Sequence, residues 1–582
     1  MAFLFHFLVQ LISLPLRILP YLYAKLRSLK KLDYLVIEIS GNLSEAPPLG
    51  GILQYLRPRQ LRFYEIVLYL YKIWQYLSTK EGRKHLGGIL FVVKSPQIGW
   101  GRAYELRQIL AKFNELLPCW AYLEKGDKIS YYIASACDKV VMSPATHLEC
   151  FPVTVEQLYL KTFLEKIGVK AQFLQIGRYK AAAEIFERDG PSSYNEAQWR
   201  EIVGEIQIHF ENALKQRNPS LEKSFFKKTS LLTSQKALEL KLVDAALYEK
   251  ELPEILFPHS KRLISLREAL SLIEKKQRKL FLWYRPKKVA LVVAEGPILE
   301  SQESHPFAIS LQDYQGLFKE LSAMNLDALI FRCHSPGGSA LASDILWQSL
   351  YSLKEDGFSA QDPYQRLPTQ LGGPKSTPKK ERKEKALYVS LSDVAASGGY
   401  YISAFGGKIY ASPLSLIGSI GVIAGKFNLA PMAKKLGVAR HEIPHEREGG
   451  FYSFLRDFSL EQKKSLREHM EFLYELFLDR VSRGRGLAIE KVRHLAEGRL
   501  FSGSAGKKHE LVDETKGLFD ILHDIKKELN IKAGEQVHLE ILPKLRPQLD
   551  MRSLFPLPWG NTLQIITYMR QTLFWYLNID LL

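Results

Sequence analysis

Cysteine is scarce: the 582 residues hold four, Cys119, Cys137, Cys150 and Cys333. Their spacing is not that of metal ligands, which excludes a cysteine-built metal site and a disulfide framework, and their apolar surroundings read as buried thiols. Acidic residues are in deficit too, 62 against 80 basic ones, for a net charge of +18. The basic excess is spread along the chain without an RNA- or DNA-binding signature, so nucleic acid is not an expected partner. Attraction to anionic lipid fits the two chain ends better. A basic n-region and a small-residue cleavage site are missing from the N-terminus, which argues against a cleaved signal peptide. No histidine lies between Ser397 and His441, an absence that bears on the chemistry below.

What the N-terminus does have is an apolar run, residues 2–23, long enough to span a bilayer. Pro15, Arg17 and Pro20 interrupt it, which leaves an interfacial helix as the alternative. Lys25, Arg27, Lys30 and Lys31 follow, and the positive-inside rule then keeps the body on the cytoplasmic side. At the other end, Trp559, Tyr568, Phe574, Trp575 and Tyr576 sit among leucines and isoleucines, which suits a membrane-interface segment or a packed terminal helix. The length between implies more than one domain. The expected division is an anchor at 1–31, a first domain at 32–258, a basic connector at 259–288, a second domain at 289–545 and an aromatic, membrane-interfacial tail at 546–582. Residues 356–385, rich in proline, glycine and charge, read as a disordered insertion in the second domain.

Short apolar runs alternate with helical patterns in both halves. Residues 34–39, 88–93 and 119–122 read as strands, with a helix at about 103–117; residues 289–293, 328–332 and 386–389 repeat the series. That alternation predicts α/β domains with mostly parallel sheets and crossover helices. The halves also align. Tyr131-Tyr132-Ile133 matches Tyr400-Tyr401-Ile402, Ser143-Pro144 matches Ser412-Pro413, and Gly168-Val169 matches Gly437-Val438, each 269 residues apart. One offset held this long marks an internal duplication.

The differences between the copies point to chemistry. Ser397, in Ala-Ala-Ser-Gly-Gly-Tyr, sits between an apolar strand and a short apolar helix, among residues small enough for a substrate backbone to approach. Such a serine is a nucleophile candidate; the plainer alternative is a glycine-rich turn that only packs. Its counterpart in the first half is Lys128. Gly337-Gly338 follow Ser335-Pro336, where the first half has Gln97-Ile98 after Ser95-Pro96, so only the second half keeps a glycine turn there. The backbone N–H of Gly338, beside that of Gly398, can then face an oxyanion. A serine needs a base, and His334 lies on a strand where a packing role is expected. Lysine serves if burial keeps it neutral. Lys180 lies between the apolar run 171–176 and three alanines, and falls opposite Gly449; a surface lysine remains the plain alternative.

Taken together, Ser-Pro-Gly-Gly-Ser at 335–339, Ala-Ala-Ser-Gly-Gly-Tyr at 395–400, Gly-Ser-Ile-Gly at 418–421 and Gly-Arg-Tyr-Lys at 177–180 resemble the signal peptide peptidase A (protease IV) family. The resemblance is to its long form and covers residues 32–545. It implies two tandem ClpP/crotonase-like domains after a membrane anchor, and a serine endopeptidase whose nucleophile is Ser397 and whose general base is Lys180. Gly338 and Gly398 would form the oxyanion hole, with Gly337, Gly399 and Ser419 along the substrate cleft. It further implies no metal or other cofactor, a homotetramer on a bacterial-type inner membrane, and signal peptides and other short apolar peptides as substrates. A periplasmic body is implied as well, against the cytoplasmic one that the flanking charges favour. Two rival readings are an acyl-CoA hydratase or isomerase on the same fold and a non-catalytic membrane scaffold. The first needs acid/base carboxylates, and Asp393 is the only one close to Ser397 in sequence.

Overall fold

Apolar runs with almost no polar interruption form the centre of two parallel sheets, as expected where helices cover both faces. Described in the computed structural model are residues 33–45, 61–222, 224–227, 231–257, 262–277, 287–300, 308–354, 386–441, 443, 450–531 and 537–543. The expected anchor (1–31), insertion (356–385) and tail (546–582) lie outside the described residues. Among the described residues no helix is long and apolar enough to cross a membrane.

The first sheet runs Ala245–Ala246, Lys139–Met142, Cys119–Leu123, Leu86–Gln97, Asp33–Asn42 and Arg262–Ser265, parallel throughout. Its last strand falls within the stretch read from sequence as a connector. Ile264 there is fully buried, and the helix Leu266–Gln277 that follows packs Ala269 and Ile273 into the same core. The second sheet runs Leu500–Ser502, Leu416–Gly418, Ala386–Ala396, Ala328–Ser335, Lys287–Glu295 and Val537–Leu542, and Lys408–Ala411 also pairs with Ala386–Ala396. Only the pairing of Leu416–Gly418 with Leu500–Ser502 is antiparallel in it. The duplication is visible strand by strand: Lys139–Met142 and Lys408–Ala411 start 269 residues apart, as do His147–Glu149 and Leu416–Gly418.

Several contacts among the described residues join the halves, three of them away from the serine. First, the strand Lys170–Ile176 pairs antiparallel with Val422–Asn428, and Phe427 meets Phe173 and Phe186 edge-on at 5.3 and 5.1 Å between ring centroids. Second, the helix Leu518–Glu528 lies on the helix Phe63–Leu77, where Tyr71 Oη donates to the Leu522 carbonyl and Phe519 packs against Trp74. Third, Arg332 has no exposed surface, and its guanidinium binds Glu45 and Glu105 of the first half and Ser390 of its own sheet. A buried guanidinium is tolerated only with partners of this kind. Burial alone would push both carboxyls up; it wins at Glu105, raised to about 7, whereas Arg332 and Arg102 outweigh it at Glu45 and hold that group below its ordinary value.

Candidate active site

The strand Ala386–Ala396 ends at Ser397, whose φ of +54° is left-handed, unusual for a residue with a side chain. The strain is held by the surroundings: the Ser397 N–H donates to the Gly418 carbonyl at 2.8 Å, and its own carbonyl accepts from Tyr401 N–H at 2.9 Å as the helix Gly398–Ser403 begins. Gly337 crosses directly over this turn. A Cβ there would stand 2.7 Å from Ser397 Cβ and from the Gly398 nitrogen, so a side chain at 337 would displace the serine.

Lys180 arrives from the other half. The strand Lys170–Ile176 delivers the turn Gly177–Lys180, which is fastened to the second half at Glu497. The carbonyl of Glu497 accepts from Tyr179 N–H at 2.8 Å, and its carboxylate accepts from the Arg178 N–H and Nε. Gly498 lets the lysine in: a Cβ on it would lie 2.6 Å from Lys180 Cβ. The side chain is 5% exposed. Its Nζ stands 2.9 Å from Ser397 Oγ, 2.8 Å from the Ser419 carbonyl oxygen and 3.0 Å from Ser419 Oγ. Among the described residues no carboxylate balances it, and burial lowers its pKa to about 7.

These residues sit in a cleft of about 1030 Å³ that Gly338 and Gly398 also line. Neither backbone N–H has a protein acceptor among the described residues, and the position of a Cβ on Gly398 would be 3.2 Å from the Gly338 nitrogen, so the two donors lie close together. One wall is apolar, with Leu466, Met470, Leu473 and Phe477 from the helix Leu460–Arg485. The arrangement can abstract a proton from a hydroxyl, and it offers two N–H groups to a negative oxygen beside that hydroxyl.

Ser397, Lys180, Gly338, Gly398 and Ser419 thus come together, with Gly337 against the turn and Gly399 in the helix behind it. His334 is not part of the group: its Nδ1 accepts from Val394 N–H, and desolvation, with Arg102 next, holds its pKa at about 4. Asp393 is committed to Gly99 and Arg102 of the first half, which removes the acid/base carboxylate that a hydratase would need. Lys128 caps the ring of Phe151 at 3.4 Å, away from Lys180's partners, and Gly449 lies outside the described residues. Sequence reasoning missed Glu497 and Gly498, which hold the lysine turn; a glycine 101 residues beyond the serine carries no local signal of that contact. It also placed Ser419 only along the cleft, although both its oxygens bind Lys180. Among the described residues no group of histidine, cysteine, aspartate and glutamate side chains is arranged to hold a metal.

The sequence model of Peptidase family S49 matches residues 111–256 and 379–532, one stretch in each half. The chloroplastic serine protease SPPA of Arabidopsis thaliana is 25% identical over 472 residues, which is 78% of this chain and 65% of that protein. Protease 4 of Haemophilus influenzae is 26% identical over 411 residues, 68% of this chain and 62% of that one. The chain thus spans a little under two thirds of the length of these two relatives. Among solved structures, a membrane-bound stomatin-specific protease mutant aligns with a TM-score of 0.26 at 12% identity, over 45% of this chain and 100% of that one, too slight a likeness for inference.

Proposed function

Because the chain belongs to peptidase family S49, we propose that it is a serine endopeptidase with Ser397 as nucleophile and Lys180 as general base. The observation that carries this reading is the 2.9 Å between Lys180 Nζ and Ser397 Oγ at a lysine buried without a counter-ion among the described residues. A neutral amine has two N–H donors and one lone pair. The carbonyl oxygen and Oγ of Ser419 take the donors, which leaves the lone pair for the Ser397 hydroxyl proton. Ser397 Oγ attacks the scissile carbonyl carbon as Lys180 takes that proton, and the oxyanion forms against the N–H groups of Gly338 and Gly398. Lys180, now an ammonium, protonates the departing amine as the C–N bond breaks. Water then gives a proton to Lys180 and adds to the acyl-enzyme, and the ester bond to Ser397 breaks with return of the proton to Oγ. Each oxyanion donor contributes about 2.7–4 kcal/mol in comparable sites.

The apolar wall favours extended apolar segments, so signal peptides and other short apolar peptides are the proposed substrates. Attachment to a membrane through residues 1–31 is proposed with them, and deletion of those residues should move the protein from the membrane pellet to the supernatant. Assembly as a homotetramer is proposed as well: exposed apolar side chains such as Leu436, Ile443 and Phe454 favour self-association, and light scattering checks the number of copies. The peptidase reading itself is tested with Ser397→Ala, which should fold normally and lose cleavage of an apolar, signal-peptide-like substrate. Cleavage by that variant at the wild-type rate would overturn it.

A further inference from the structure

The strand that carries Ser397 is irregular just before it. Cys333 pairs with Leu391 and Ser335 with Ala395, so three residues, Ser392, Asp393 and Val394, face the single residue His334. Bulges of this kind bend a strand and re-aim the side chains beyond. The ladder lost there is replaced by other contacts: Val394 N–H donates to His334 Nδ1 at 3.3 Å, and Ser392 Oγ donates to Glu45 at 2.6 Å.

Asp393, in the middle of the bulge and only 7% exposed, takes its hydrogen bonds among the described residues from the first half. Its two carboxylate oxygens accept from Gly99 N–H at 2.9 Å and Arg102 N–H at 2.7 Å, the free donors at the start of the helix Trp100–Asn114, and Arg102 Nε donates to it as well. A helix normally draws such a cap from its own chain just before its first turn. Here the capping position is Gly99, which has no side chain, and a Cβ there would lie 2.5 Å from Asp393 Cγ. Gly101 is also confined, though less tightly, its Cβ position standing 3.0 Å from Asp393 Oδ1 and from Ser415 Oγ. After the duplicated Ser-Pro, the second half's loop presents an N–H beside Ser397, whereas the first half's loop grips the strand that carries Ser397.

We propose that Asp393 is a positioning residue: gripped by Gly99 and Arg102 of the opposite half, it fixes the bulge that aims Ser397 at Lys180. The role rests on the peptidase reading above. It makes the reach of the serine depend on correct docking of the two halves, since the grip comes from one and the nucleophile from the other.

The test is steady-state cleavage of a fluorogenic apolar peptide by the full chain, comparing Asp393→Asn, the charge-neutral pair Arg102→Gln with Asp393→Asn, and Gly101→Ala. Ser397→Ala serves as control, and folding is followed by thermal melting. A misplacement approaching 1 Å costs roughly a hundredfold in rate. The asparagine variants should therefore lose about ten- to a hundredfold in kcat, and Gly101→Ala about three- to tenfold, with KM within about threefold of wild type. If Asp393→Asn fails to fold, Gly101→Ala, which crowds Asp393 and Ser415 Oγ but removes none of the carboxylate's donors, decides the question. Wild-type kcat in the folded variants, or a loss confined to KM, overturns the positioning role. If Ser397→Ala itself is active, the peptidase reading fails instead, so the two failures are distinct.

Discussion

Burying an amine costs free energy in proportion to the drop in its pKa, and Lys180 makes that cost measurable. A fall from the ordinary 10.5 to about 7 corresponds to roughly 5 kcal/mol at 1.36 kcal/mol per unit. The sign follows from which state binds the proton. Between the two values the unfolded chain carries a charged lysine and the folded chain a neutral one, so lowering the pH favours unfolding. The cost is nearly complete below pH 7 and falls to less than about 1 kcal/mol at pH 10. Lys180→Met removes the titration but also the contacts to Ser397 and Ser419, each worth about 1 kcal/mol. The variant should therefore be inactive yet more stable than wild type at pH 6, with the advantage shrinking by about 4 kcal/mol between pH 6 and pH 10. Urea unfolding of both proteins across that range supplies the measurement. A stability difference constant to within about 1 kcal/mol would refute the reasoning, because it would mean that Lys180 stays charged in the fold.

Gly498→Ala places a methyl 2.6 Å from Lys180 Cβ at a residue with φ +75°, so it should displace the lysine and lower kcat by about a hundredfold. Gly204→Ala, in the helix Ser193–Arg217 with nothing within 4 Å of the new carbon, should leave the rate unchanged and add about 0.5–1 kcal/mol of stability. Arg332→Met would leave Glu105 buried without its cation and Glu45 with only the charge of Arg102 nearby, and should cost about 3–5 kcal/mol in urea unfolding; a loss below about 1 kcal/mol would show that the Arg332 ion pairs do not tie the halves together.

The duplication was legible in the sequence because insertions and deletions are few between the copies. The offset read from Tyr131 and Tyr400 also relates Leu231–Thr233 to Leu500–Ser502, two strands with no shared motif. Strand positions such as 289–293 and 328–332 were legible because a buried parallel strand is apolar at nearly every residue. Ser397 and Lys180 stood out as breaks in the internal symmetry, each polar group being present in one copy only. What the sequence did not reveal is pairing between unequal parts. Lys170–Ile176 pairs with Val422–Asn428, although the offset aligns it with 439–445, so the pairing that brings Lys180 to the serine does not follow from the repeat. Asp393 stood in the sequence only as the one carboxylate close to Ser397 that a hydratase could use, because nothing local tells that its partners are the amides of Gly99 and Arg102, nearly 300 residues away. The edge strand Arg262–Ser265 was read as linker since only one of its four residues, Ile264, is buried, too weak a pattern to distinguish from a basic loop.

The measurement that bears most directly on the Ser397–Lys180 pair is the rate at which a fluorophosphonate modifies the full chain as a function of pH, with the adduct located by peptide mass spectrometry. The pair predicts a single adduct on Ser397, formed at a rate that rises with a midpoint near the pKa of about 7 at Lys180, and no adduct on Lys180→Met. An adduct on another serine, a midpoint near the ~10.4 of a free lysine, or Lys180→Met labelled at the wild-type rate would contradict it.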